Sequence, residues 1–583
     1  MLQKTYLLNL MTTKKCHISW KLFTIDTWEQ DFLAKISPNF NWKQYLIPDP
    51  KLCPTERMIR RLGFRNERSL FYRKCDLTGK QIVAQYPTNS PYKVYDKSVW
   101  YSDDWNAASY GIDFDFSREF FPQFWELMLR VPRMARVQQG NMENSEFCNR
   151  ASDCKNCYLL YSSNHNENSY YGAFINDGFQ CIDNTNVYGC QVTYESVDCY
   201  DCQRVFWSEE CKNCADSYFL KSCVGCKNCL FCTNLVQKEY CVRNKQLTKE
   251  DYEKQLSQTD FSQLSLLKNL KHIFSEIKKD MDVKYFSGVK NENVSGDHID
   301  ASKNSMEIFD SRGLEDCRYC QSIFHSKNCM DYCYWGQDSS WMYEVHAAWR
   351  GCSNMLFCNE SWDSDKDLIY CDQCMFSSDL FACCGISHWK NAILNKSYNK
   401  HEYEMLCGKI IDHMKSTSEW GEFFPLALSP FGYNETVAQD YFPLTDSAAE
   451  ISWYKWRIDD EVSSYHGEYC KPLPIDQYDE RKVGYEVAQK NIDACLDWII
   501  ECSVTKKPFK IIKPELAFYI EHHLAIPLIS PNERHRLRTQ LRNPRILQDR
   551  NCAECNTPLQ TVYDQNRTEK VLCESCFQKK IFT

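Results

Sequence analysis

Four cysteines near the end of the chain carry the spacing of a metal centre. Cys552 and Cys555 form one C-x-x-C pair, Cys573 and Cys576 form a second, and a hairpin-length gap separates them. Each pair presents two thiolates to one ion, and a hairpin of this length brings the pairs together, so the spacing predicts one structural Zn²⁺ with four protein ligands. A closed tetrahedron keeps no open position for water or substrate, so catalysis by this ion is not expected.

A larger set of cysteines keeps a different beat. From Cys148 to Cys241 every interval between cysteines is a multiple of three, and the same phase holds Ala151, Leu160, Ser163, Gly172, Val187, Val205, Ser217 and Leu220. Small or compactly aliphatic side chains at every third position predict an inward-facing row. A second period of twelve runs through Tyr158, Tyr170, Ile182, Tyr194, Phe206, Tyr218, Leu230 and Val242. Together they describe coils of roughly twelve residues, each stacked on the next. Ladders such as Cys199, Cys211 and Cys223 would then stand about 4.8 Å apart, close enough for a metal, an iron–sulfur cluster or redox chemistry. Cys223, Cys226, Cys229 and Cys232 are the best second candidate site, with Lys212, Lys221 and Lys227 nearby to favour thiolates. The alternative is packing, because valine, leucine, serine and glycine share the phase and free cysteine behaves as a small buried hydrophobe.

Two arginine-rich stretches suggest a third chemistry. Arg57, Arg61, Arg65 and Arg68 fall near helical spacing among Phe64, Phe71 and Tyr72, and Arg534, Arg538, Arg542 and Arg545 follow the same pattern near the other end. Guanidinium planes interleaved with aromatic rings suit phosphate contact and base stacking, so these eight residues are the candidate nucleic-acid site. Solvated helix faces tied to acidic neighbours are the competing reading. His325, His346 beside Glu344, and His388 beside Cys383 and Cys384 have no Ser-His-Asp order, phosphate loop or spaced carboxylate pair with them, and we read them as structural.

The elements that must position these groups come in duplicate. Adding 477 to the residue number carries Arg65-Asn66 onto Arg542-Asn543, Cys75 onto Cys552 and Tyr86 onto Tyr563. Both ends thus hold one tandem module. Its first half resembles a treble clef in which Ser19, Glu56 and Thr505 replace cysteine ligands, and its second half is a ribbon that is degenerate at Cys75-x-x-Thr78. A metal-free N-terminal module is expected. The triplet beat also restarts, as Cys317, Cys320, Cys329 and as Cys371, Cys374, Cys383, with Trp335, Trp341, Trp349 and Trp362 making the second array more aromatic. Thr248 with Asp251 predicts a capped helix running on toward Ile277, and Asn399 with Glu402 repeats the cap. The expected fold class is multidomain and mainly β: two cysteine-cored β-solenoid arrays with helical caps, flanked by tandem zinc-ribbon and treble-clef modules. The expected units are 1–62 and 63–110 (treble clef and ribbon, both degenerate), 111–140 (an aromatic and helical connector covering the solenoid end), 141–258 (array 1), 259–292 (helical linker), 293–415 (array 2), 416–490 (connector), 491–541 (degenerate treble clef) and 542–583 (zinc ribbon).

With 583 residues and a net charge of −9, no global field draws the molecule to nucleic acid or an anionic membrane. No apolar run approaches the ~18 residues of a bilayer span, and the opening residues have too short an apolar stretch for an export signal, with Met11 a second candidate start. A cytoplasmic location follows, where thiols stay reduced.

The order FRNERSLFYRKCDLTGK, KVYDKSVWYSDDW, CKNCADSYFL, CKNCLFCTNL, SPFGYNETVAQDYFPL, RNPRILQDRNCAEC and CESC resembles an uncharacterised cysteine-rich bacterial family with zinc-ribbon ends, over nearly the whole chain. The resemblance implies zinc binding and a cytoplasmic location and supplies no catalytic residue. An acyl-CoA transferase label of the CaiB/BaiF type, attached to some members, finds no support in these residues. The leading expectation is a non-enzymatic zinc-binding scaffold that engages RNA or a ribonucleoprotein. The alternatives are a metal-storing or thiol-redox protein, and a protein–protein adaptor using the aromatic surface of array 2.

Overall fold

The structure is a computed structural model that describes residues 11–458 and 467–582. The first ten residues, on which the leader expectation turns, and residues 459–466 of the connector lie outside the described residues. The fold is mainly β and is built on two parallel solenoids, as the triplet pattern predicts.

In array 1 the register advances by twelve residues per coil, pairing Gln191 with Gln203, Ala215, Lys227 and Glu239 in turn. Array 2 departs from the expected twelve. Three successive coils take thirteen residues, from Lys327 through Ser340 and Ser353 to Lys366, before the step returns to twelve at Ser378. Two of the three extra residues are absorbed at corners where two consecutive residues are left-handed, Tyr334–Trp335 and Asp363–Ser364, and the third lies between the left-handed Ala347 and Gly351.

The triplet has a backbone cause. In the first coils of array 1 the residue before each inward side chain is left-handed, from Arg150, Asp153 and Asn156 through Asp183 and Asn186, with φ between 49° and 58°. Each triplet turns the chain by a quarter, so four triplets close one coil. A left-handed non-glycine residue costs roughly 1–2 kcal/mol, and stacking offsets this by satisfying both backbone groups. The N–H of Gln203 reaches the next coil at Cys214 O (2.9 Å), and that of the corner residue Asn213 reaches the previous coil at Tyr200 O (3.0 Å).

The inward row is sealed from solvent. Cys199, Cys211, Cys223 and Cys229 are each 0 % exposed, as are Val205, Ser208 and Leu220. Much of the outer twelve-residue ladder is buried against other elements: Tyr194 and Phe206 pack on Phe518 of the C-terminal module, and beside it Phe219 meets Phe274 of the helix Leu264–Lys279.

The cap after array 1 is two helices rather than the single one expected. Thr248 Oγ1 accepts from Asp251 N and starts Lys249–Ser257, and a second helix begins at Leu264. Asn399 caps Lys400–Ser416 as its sequence predicts. The helix Phe120–Arg130 lies along the flank of array 2, with Phe120 on Tyr370 and Phe381, rather than over an open coil end. The first coils are instead joined by the ribbons. Val94–Tyr95 pairs with Arg133–Met134 ahead of array 1, and Lys570–Leu572 pairs with Asp282–Lys284 ahead of array 2.

Candidate metal centre and the arginine contacts

Four turns in the two tandem modules share one backbone shape. In each, the N–H of the leading cysteine donates to the carbonyl five residues on, as Cys16 to Lys21, Cys75 to Lys80, Cys502 to Lys507 and Cys552 to Thr557. A left-handed residue closes each turn at Trp20, Gly79, Lys506 or Asn556. The duplicated fold therefore persists where the ligands do not. Ser19 Oγ lies 3.7 Å from Cys53 Sγ, and Cys75 Sγ accepts the N–H of Asp96 at 3.4 Å, as Cys552 Sγ accepts that of Cys573 at 3.3 Å.

Only the last ribbon assembles a complete donor set. Ligand atoms of Cys552, Cys555, Cys573 and Cys576 all lie within 4.8 Å of one another, and among the described residues this is the one group of its kind. Cys555 and Cys573 sulfurs are 3.6 Å apart, close to the ~3.8 Å edge of a tetrahedron with 2.3 Å metal–sulfur bonds. Burial opposes ionisation of Cys552, but N–H groups of Cys555, Cys573 and Glu554 outweigh it and bring the thiol down to about 6. The four thiols fit a tetrahedral ion that prefers sulfur, and the site sits next to the strand Lys570–Leu572, which pairs with Asp282–Lys284 just ahead of array 2.

Cys223, Cys226, Cys229 and Cys232 do not converge in this way. Their thiols donate to backbone carbonyls within the coil, Cys226 to Leu235 O at 3.3 Å and Cys232 to Leu230 O at 3.3 Å. Serines of the same row do likewise: Ser208 Oγ donates to Phe206 O (3.0 Å) and accepts from Leu220 N (3.0 Å). The row needs a small or compact side chain, and where that side chain carries a donor the backbone carbonyls of the coil satisfy it, so cysteine and serine are accepted there beside valine, leucine and glycine. Burial pushes the Cys181 thiol upward, while hydrogen bonds from neighbouring thiols lower Cys226 and Cys232, so it is the lack of a converged tetrahedral set that separates this run from the last ribbon.

The arginines expected at a nucleic-acid surface are placed elsewhere. Arg57 and Arg61 are 1 % and 0 % exposed. They enter array 2, where Arg57 Nε donates to Asp331 (2.8 Å) and Arg61 lies 3.0 Å from Asp331 and 2.8 Å from Glu344. Their counterparts Arg534 and Arg538 enter array 1 and share Asp183 at 2.7 and 3.0 Å. Arg65 donates to Glu67 and Ser162, both at 2.6 Å. Arg542 joins the arrays by pairing with Asp198 of one and Asp310 of the other, and Arg545 shares Asp310. Half-buried Arg68 lies over Tyr161 and bonds Asn532 of the other module. These guanidinium groups face carboxylates, amides and rings inside the molecule, so phosphate cannot reach most of them. The competing reading, ties to acidic neighbours, describes them, except that the neighbours lie in the arrays and the faces are buried.

The two modules make matching contacts on exchanged arrays. Arg57 stands over Tyr319 as Arg534 stands over Tyr171, and Tyr171 Oη donates to Glu515 beside Arg534. Each module thus clamps both arrays through one set of side chains. The carboxylates involved, Asp183, Asp198, Asp310, Asp331 and Glu344, all occupy left-handed corners, where side chains leave the coil. Sequence reasoning missed them, although acidic residues two positions from an inward residue were a readable signal.

Buried His346, with Nδ1 2.7 Å from Asn359 Oδ1, is held neutral chiefly by burial, with Arg65 and Arg150 adding to it. His388 stacks on Phe376. The tryptophans of array 2 are not one open face: Trp341 stacks against Phe32 of the N-terminal module, while Trp335, Trp349 and Trp362 line a recess at the seam with array 1.

No family model matches the chain, and no curated protein matches it. Among solved structures, the chain is similar to a “putative acetyltransferase from Desulfovibrio desulfuricans G20”, at 10% identity over 44% of this chain and 69% of that one. With a TM-score of 0.10, this likeness carries no weight for fold or function. No helix among the described residues is long and apolar enough to cross a membrane.

Proposed function

We propose that this protein is a non-enzymatic, cytoplasmic repeat scaffold whose single resident metal is a structural Zn²⁺ on Cys552, Cys555, Cys573 and Cys576. The converged four-cysteine group beside the docked strand Lys570–Leu572 carries the reading. In this role the ion holds the last ribbon in shape, and the ribbon in turn holds the segment leading into array 2. Tyr285 N donates to Leu572 O at 3.0 Å, and Ala553 N donates to Val571 O at 2.9 Å, so the knuckle and the segment leading into array 2 share one strand. Nucleic-acid engagement would need a surface other than the paired arginines, and the reading therefore takes protein as the partner class. Membership of the cysteine-rich zinc-ribbon family stands as part of the same proposal.

Hydrogen exchange on the purified chain, before and after chelation, tests the role. Removing zinc should expose the amides of 282–285 and 570–572 while leaving the central coils of array 1 protected. Unchanged protection of both strands in verified metal-free protein would overturn it.

A further inference from the structure

The four copies of the knuckle turn separate what the fold needs from what the first copy adds. The third residue is apolar and exposed in three of them, Ile18 at 47 %, Leu77 at 46 % and Val504 at 52 %. The fifth residue is left-handed in all four, at φ 58–69°. It is Gly79, Lys506 or Asn556 in the later copies and Trp20 in the first. Two positions on, Leu22 stands where the others have Gln81, Pro508 and Pro558. Trp20 is 66 % exposed and Leu22 73 %. A bulky residue is strained in the left-handed region, and most of both side chains lies outside the fold, so packing within the chain does not account for them. Exposed Lys15 and Lys21 flank the pair, with Lys15 Nζ 4.7 Å over the Trp20 ring. The first knuckle thus ends in an apolar, basic knob.

The other end of the chain carries a hollow of the opposite kind. The helices Tyr485–Asp497 and Lys513–Glu521 border a groove of about 460 Å³, within the ~300–1,000 Å³ of ligand-binding clefts. Ala488, Ile492 and Ile520 line it together with Tyr485, which is 68 % exposed. Its charge is acidic. Asp479 is taken up by Arg481 at 2.8 Å, whereas Glu480 and Glu521 face the groove as exposed carboxylates. An apolar hollow with two such carboxylates suits an apolar group accompanied by cations, which is what Ile18, Trp20 and Leu22 with Lys15 and Lys21 present.

We propose that the first knuckle of one copy of this chain inserts into the groove beside Tyr485–Asp497 of a second copy. Knob and groove are different surfaces, so the contact is heterologous, a pair leaves one of each unused, and larger species form as concentration rises. A second copy as partner rests on the scaffold reading, in which protein is the partner class; monomers that still hold zinc would overturn the contact and leave the scaffold role standing. Sedimentation velocity of the full-length, zinc-loaded chain over a concentration series is the test, and association beyond the monomer is expected. Trp20→Asn should weaken it at least tenfold, as loss of an interface anchor does, without lowering the melting temperature, because asparagine tolerates the left-handed region. Gln489→Trp, which fills the groove from its own lining, should weaken it equally, and Glu480→Lys with Glu521→Lys should repeat that result by charge alone. An equimolar mixture of Trp20→Asn and Gln489→Trp should give a one-to-one dimer and nothing larger, since one intact groove and one intact knob remain. A chain that is monomeric at every concentration, association unchanged by Trp20→Asn or by the groove variants, or a mixture that stays monomeric would overturn the proposal. So would Trp20-dependent co-sedimentation of a monomeric chain with phosphatidylserine vesicles, which would assign the knob to a lipid surface.

Discussion

Arg61→Met removes one guanidinium from a buried network in which Arg57, Arg60 and Arg61 meet Asp331, Glu344 and Glu422. Arg61, Asp331 and Glu344 have side chains no more than 1 % exposed, so water cannot take over the lost contacts. Breaking a buried pair from one side typically costs 3–5 kcal/mol, because the remaining charge stays in the interior. Here Arg57 keeps Asp331 at 2.8 Å and Arg60 keeps Glu344 at 2.6 Å, which places the expected loss at the lower end, about 3 kcal/mol. Urea unfolding followed by circular dichroism reads this directly. Adding Glu344→Gln restores the charge balance, and the double variant should be more stable than the sum of the single losses by ~1–3 kcal/mol. Lys43→Met, which breaks a half-exposed pair with Asp412, is the control and should cost under about 1 kcal/mol. A loss below 1 kcal/mol for Arg61→Met, or reduced affinity for generic RNA at unchanged stability, would refute the clamp and return the arginines to a nucleic-acid role.

Three further outcomes rest on the same geometry. Gly225 is a corner residue at φ 64° whose added Cβ would come no closer than 3.4 Å to its neighbours, so Gly225→Val should cost only the backbone strain of roughly 1–2 kcal/mol, and Gly225→Asn should cost less, both measured by urea unfolding. Cys214→Ser should stay within about 1 kcal/mol of wild type, since a hydroxyl can make the bonds this thiol gives to Lys212 O and Cys223 O; a loss of several metal ions from that variant would show the thiol to be a ligand. Burial opposes protonation of His298, yet Asp297 and Asp198 outweigh it and raise its pKa to about 10. Its contribution is therefore full below its ordinary value of 6.5 and fades as pH rises from there to about 10, and a stability–pH profile of His298→Gln should lack that alkaline decline.

Much of the architecture was legible because the inward row tolerates few side chains. Ala151, Cys154, Gly172 and Val187 share only small volume and phase, and that suffices to predict the coil. The quarter turn itself was readable as well, since Asp153, Asn156, His165 and Asn168 occupy left-handed positions and such residues tolerate that conformation better than most. The arginines were misplaced for a different reason. A basic, amphipathic helix records its charge but not its partner, and phosphate and a carboxylate some 270 residues away call for the same guanidinium. The thirteen-residue coils of array 2 were obscured because three of them shift the triplet phase at Cys352 and Cys358 and then restore it, so Cys371, Cys374 and Cys383 fall in step with Cys317, Cys320 and Cys329. At the last ribbon the ligands are local, so four spaced cysteines were enough to locate the candidate centre.

The central claim is that the array thiols are packing residues and that one four-cysteine group alone is built for metal. Thiol alkylation of the native chain with site-resolved mass spectrometry, run beside metal analysis, tests it most directly. The account predicts about one zinc per chain, early labelling of the partly exposed Cys470, labelling of Cys555 and Cys573 after chelation, and array cysteines that stay unmodified until the protein unfolds. Rapid native labelling of Cys223, Cys226, Cys229 and Cys232, or several metal ions per chain, would contradict it.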